Sequence, residues 1–179
     1  RELPLDIDVA RLRAQLNDPM EFDLRPIRIL LLGQSEMPDL KPEFRAGLQR
    51  SIELESSELG AFATALIQLG GSASVEEIAA TYLINQQVPL VPREVLIEAL
   101  ALHHESGSPE LRKTISRSLA TAAWVDPALA GAIARQFGSR NDGSQQEVVA
   151  AALQDVALIS PADRQDILQY LSMHRTAQP

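Results

Sequence analysis

PREVLIEALALHHESGSPELRKTISRSLATAAWVDPALAGAIARQF, residues Pro92 to Phe137, predicts three helices laid end to end. Pro92, Pro109 and Pro127 each suit a first helical position, where the missing N–H costs nothing, and Ser108 and Asp126 precede the last two as capping residues. The prolines fall 17 and 18 residues apart, the length of one short helix and a tight turn. A chain of antiparallel helical hairpins has this spacing.

Working outward, the same signals recur. Toward the N-terminus, Val9, Leu12 and Leu16 share a helical face behind Asp6 and Asp8, and Asn17, Asp18 and Pro19 end that segment. Pro26 opens IRILLLG, which Gly33 is expected to close in the left-handed conformation. Pro42 opens a helix with Phe44, Leu48 and Ile52 on one face, weakened by about 1 kcal/mol at Gly47 relative to alanine. Ser57 is expected to cap a helix with Leu59, Phe62, Ala63, Leu66 and Leu69 inward, ending at Gly70 and Gly71. Ser74 with Glu77 reads as a capping box for Val75, Ile78, Ala79, Tyr82 and Leu83.

In the central stretch, Leu111, Ile115, Ser118, Leu119 and Ala122 form the inner side of the helix from Pro109, opposite Glu110, Arg112, Lys113 and Arg117. Beyond it, Ser144 with Glu147 is a second capping box, for Val148, Val149, Ala152, Leu153 and Val156. Ser160 and Pro161 open a last helix holding Ile167, Leu168 and Leu171.

The start signals form two interleaved sets. Ser74, Ser108 and Ser144 are 34 and 36 apart, while Ser57, Val91, Asp126 and Ser160 are 34, 35 and 34 apart. A two-helix unit of about 35 residues repeats, which predicts a single all-α domain over residues 1–179. Its five hairpins lie near residues 6–33, 40–70, 74–106, 108–138 and 144–175. The competing arrangement is a compact bundle of helices alike in length.

Pro109, Leu111, Arg112, Ile115, Ser118 and Leu119 resemble the first helix of a HEAT-like repeat, where proline, an aliphatic residue, arginine and spaced small or aliphatic residues recur. Asp126-Pro127 matches that family's opening dipeptide. A tetratricopeptide array suits the 34-residue spacing, but the Trp, Leu-Gly and Tyr of its first helix are not found here. The resemblance to the HEAT-like and armadillo-like families implies a right-handed α-solenoid whose surface binds a protein or peptide. Enzymes built on such frames, DNA glycosylases and bilin lyases, are the alternative it implies.

Composition narrows these readings. Sixteen basic against twenty-four acidic residues give a net charge of −8, and residues 1–58 and 59–179 each carry eight basic and twelve acidic groups. Nucleic-acid affinity comes mainly from neutralising phosphates, so a chain with no basic half or patch is not expected to bind nucleic acid. Fourteen arginines to two lysines suggest a GC-rich bacterial source. With no cysteine there is no disulfide, thiolate nucleophile or Cys-type zinc site, and either redox compartment suits the chain. The apolar run Ile27 to Leu32 contains a charge and falls far short of the roughly 18 residues of a membrane span, so a soluble chain is expected. A start at Arg1 fits a processed form or a regulatory helical domain of a longer chain.

Three constellations bear on chemistry. IRILLLGQSEM, Ile27 to Met37, looks like a strand entering a nucleotide or nucleophile loop, yet Gln34, Ser35, Glu36, Met37, Pro38 and Asp39 follow Gly33 where a phosphate loop needs Gly-Lys-Ser/Thr. A nucleophile elbow needs glycine at Met37, so no catalytic role is assigned to Ser35. His103 and His104, beside Glu105, diverge by about 100° on a helix and cannot face one ion together, and no metal or other cofactor is expected. They suit instead a helix C-terminus, whose partial charge is negative. Trp124 is expected in core or interface packing.

The third constellation is Glu94, Glu98 and Glu105, spaced to share one face of the helix from Pro92. With Arg93 the only basic residue between Pro92 and Arg112, this face suits a basic protein or peptide. The leading expectation is therefore a non-enzymatic interaction scaffold with Glu94, Glu98 and Glu105 as its contact face.

Overall fold

The computed structural model describes residues 9–15, 24–35, 37–140, 143, 145–146, 149–150 and 160–174, which form helices joined by turns, with no strand among them. Asp6, Asp8 and the segment around Asn17, Asp18 and Pro19 lie outside the described residues, as do Ser144, Glu147, Val148, Ala152, Leu153 and Val156. The chain divides into two compact units, Arg1–Ser74 and Val75–Pro179.

The first unit contains α1 (Val9–Gln15), α2 (Arg25–Gly33), a 3₁₀ turn (Pro38–Leu40), α3 (Lys41–Glu53) and most of α4 (Leu59–Ile78). Its core collects the apolar faces of α2, α3 and α4: Ile29, Leu32, Leu40, Phe44, Leu48, Phe62 and Leu66 are buried. Phe44 and Phe62 meet at 6.1 Å between ring centroids. Gly33 does not close α2 in the left-handed conformation; Gln34 follows it with φ −81°. Glycine stands there because α2 lies against α4, and a Cβ would sit 2.7 Å from Ala65 Cα. Gly47 has the same origin, since a Cβ would overlap the Phe62 ring.

The expected start and stop of α4 are corrected in two places. Ser56 rather than Ser57 supplies the side-chain acceptor, its Oγ taking the Glu58 N–H at 3.2 Å. The helix then breaks at Gly71, with φ +55° and ψ −134°, where only glycine is at ease. It resumes at once, so Ser74 is a buried residue of helical backbone and not a cap. A glycine break needs no capping box after it.

The second unit continues from Val75 through a π-helical turn (Ala79–Leu83), α5 (Leu90–Ser106), α6 (Pro109–Val125), α7 (Leu129–Ser139) and α8 (Pro161–Met173). Helix α5 packs on α6 and α7, α6 on α7, and α7 on α8. Leu96, Ile97, Leu100, Ile115, Leu119, Ile133 and Phe137 fill the space between them, all at 0% exposure. Ser108 and Ser160 cap as the sequence suggests, taking the N–H of Leu111 at 3.3 Å and of Asp163 at 3.1 Å.

Other boundaries move. Helix α5 starts at Leu90 behind Pro89, so Pro92 is its third residue, still within the turn whose N–H groups need no helical partner. Asp126 Oδ1 accepts the Ala128 N–H at 3.2 Å, and Pro127 lies in a tight turn before α7 rather than at its first position. In α8, Tyr170 is buried at 1% exposure while Leu168 is 55% exposed, so the inner face is rotated from the expected Ile167–Leu168–Leu171 set. Trp124 is 82% exposed and belongs to no core.

Candidate functional surface

Helix α5 places its polar residues by simple periodicity, since positions three, four and seven apart share a face. Val91, Glu94, Glu98, Leu102 and Glu105 therefore form one outward stripe. Glu98 is exposed, the Glu105 side chain is 69% exposed, and the apolar Val91 and Leu102 are 61% and 48% exposed. The opposite stripe, with Leu96, Ile97 and Leu100, is buried and holds α5 in place.

Arg93, the one basic residue expected on this stretch, faces inward at 6% exposure. Its Nη1 donates to Asp126 Oδ2 at 2.7 Å and to the Leu83 carbonyl at 3.5 Å. The basic residue is thus consumed inside, joining the π-helical turn, α5 and the turn before α7. The outer stripe keeps its acidic character.

Glu94 does not act alone. Arg135 of α7 donates through Nη2 to Glu94 Oε1 at 2.5 Å and through Nη1 to Asp166 Oδ2 at 2.7 Å and Asp163 Oδ1 at 3.2 Å. Burial, the largest influence, lowers the Arg135 pKa, but the hydrogen bonds that it donates to Asp166 and Asp163 and the charge of Glu94 outweigh it and hold it above its ordinary value. The guanidinium stays charged at any working pH. Gly131 makes room for this cluster, because a Cβ there would lie 2.7 Å from Asp163 Cβ. Arg140 Nε reaches Glu105 Oε2 only at 3.9 Å. Four carboxylates, Glu94, Glu105, Asp163 and Asp166, thus face two guanidiniums, Arg135 and Arg140, and Glu98 is in none of these pairs.

The two histidines take separate positions in the last turn of α5. His104 is 6% exposed, with its ring edge-on to Phe137 at 5.2 Å and its Nε2 3.2 Å from Ser116 Oγ. Gln145 Nε2 donates to the same Ser116 oxygen at 2.8 Å, so Ser116 joins His104 to Gln145. His103 is half-buried, and the His174 ring lies 4.7 Å from that of Tyr170, tilted by 51°. Among the described residues no group of three His, Asp or Glu is placed to hold a metal ion. Ser35 Oγ donates to the Leu32 carbonyl at 2.6 Å, a local bond at the end of α2.

Sequence reasoning missed the Arg135 cluster and the His104–Ser116–Gln145 bolt. The partners of Arg135 lie 28 to 41 positions away along the chain, and no local spacing marks them. No helix among the described residues is long and apolar enough to cross a membrane. Compared with known proteins, the chain matches no family model, no curated sequence and no solved structure.

Proposed function

We propose that the chain is a non-enzymatic interaction module of HEAT-like helical hairpins, and that the outer face of α5 docks a basic protein or peptide. The observation that carries this is the outer stripe of α5, where Glu94, Glu98 and Glu105 alternate with exposed Val91 and Leu102. Apolar contacts bury area, and the surrounding carboxylates raise the encounter rate and reject acidic competitors. The packing of α5 on both α6 and α7 supports the repeat reading, since successive hairpins of an α-solenoid contact their neighbours in this way.

The test uses a synthetic amphipathic peptide of lysine and leucine. It should bind with an affinity that falls as salt rises, because exposed ion pairs contribute only about 0 to 1 kcal/mol each and are screened within about 8 Å at physiological ionic strength. The double substitution Glu98→Gln/Glu105→Gln should weaken binding several-fold and flatten its salt dependence. Glu110→Gln on α6, which also removes an acidic charge, should change it little. Equal losses in both variants would mean that net charge, not this face, attracts the peptide.

A further inference from the structure

We propose that the cleft ahead of α4 in the first unit binds a small organic carboxylate with an apolar body. The cleft has a volume of about 470 Å³ and is lined by Arg25, Arg50, Ser56, Ser57, Leu54 and Phe62, with Glu58 beside them. Volumes of this order accept small-molecule ligands. All of its lining residues belong to the first unit.

Among the described lining residues the charges do not balance, and the excess is a single positive one. Arg25 Nε lies 3.3 Å from Glu58 Oε1, so those two groups offset one another. Arg50 is exposed, and its guanidinium joins no ion pair among the described residues. Ser56, Ser57 and Glu58 stand immediately ahead of Leu59, so the positive end of α4 adds to the excess. One uncompensated guanidinium fork suits a monoanionic carboxylate, which it can grip through two parallel hydrogen bonds. A phosphate dianion would bring a second negative charge beside Glu58.

The rest of the lining specifies the body of the ligand. Phe62 forms an aromatic wall, and its place there is secured by Gly47, which leaves the ring room against α3. Leu54 lines the same space at 71% exposure, an uncovered apolar rim that a bound ligand would bury. Beside it, Glu55 holds a left-handed backbone with φ +49°, which sets the sharp exit from α3.

Phenylacetate, phenylacetamide and N-acetyl-alanyl-phenylalanine serve as probes, followed by backbone amide shifts of the full chain. Phenylacetate should shift residues 54–62 in a saturable manner with a dissociation constant of about 1 mM, as a small fragment would. Phenylacetamide, equal in shape but neutral, should bind about tenfold more weakly, and Arg50→Gln should lower phenylacetate affinity by a similar factor at unchanged melting temperature. Equal binding of acid and amide, an unaffected Arg50→Gln variant, or no shifts in residues 54–62 would each overturn the proposal. Tighter binding of the dipeptide than of phenylacetate would assign the cleft to a chain terminus and overturn the small-molecule reading.

Discussion

Gly47 illustrates how a residue's cost depends on what lies above it. Helix propensity alone predicts that alanine would stabilise α3 by about 1 kcal/mol. The Phe62 ring occupies the space of the missing Cβ, so Gly47→Ala should instead destabilise by about 1 to 3 kcal/mol, the usual penalty of overpacking. Denaturant unfolding decides between the two signs. Leu119, at 0% exposure between α5, α6 and α7, is the converse case, where truncation leaves a void. Leu119→Ala should lose about 2 to 5 kcal/mol, and a midpoint unmoved in urea would mean that the phase of α6 is wrong.

Between helices, the pair Arg93–Asp126 ties α5 to the turn before α7, with side chains 7% and 19% exposed. Removing one partner strands the other in a dry setting, so Arg93→Ala should cost about 3 to 5 kcal/mol. Arg93→Ala/Asp126→Ala together should cost less than the sum of the single changes, with the loss of the Asp126 turn contact as the residue of the effect. Additive losses in a double-mutant cycle would show that the pair is not coupled.

Element boundaries were legible where the signal is local and misread where it depends on the preceding chain. Ser108 and Ser160 cap because serine followed by proline is itself a helix start. Ser74 carried an equally good pattern, but the break at Gly71 lets the helix resume first. Pro92 fits several places in a first turn, so it could not set the boundary at Leu90 to the residue. Glu94, Glu98 and Glu105 were legible as one face because α-helical periodicity decides it. That Glu94 shares Arg135 with Asp163 and Asp166 was not, because packing of α7 on α5 and α8 creates the meeting.

For the molecule as a whole, the all-helical character follows from a chain whose apolar residues recur at helical spacing between prolines, glycines and capping serines. Far-UV circular dichroism should show a helical spectrum, and substantial strand content would contradict the fold. The net charge of −8 says nothing of the fold but bears on partners, since it favours cationic surfaces over nucleic acid. Helix α5 sets three of the twenty-four acidic residues beside uncovered Val91 and Leu102, with Arg93 withdrawn into the interior.

The docking face is the central claim, and backbone amide shifts in a titration with the lysine–leucine peptide test it most directly. The account predicts that the largest saturable changes fall on Val91, Glu94, Glu98, Leu102 and Glu105. Changes that spare this stripe and cluster on the outer side of α6, around Arg117 and Trp124, would contradict it.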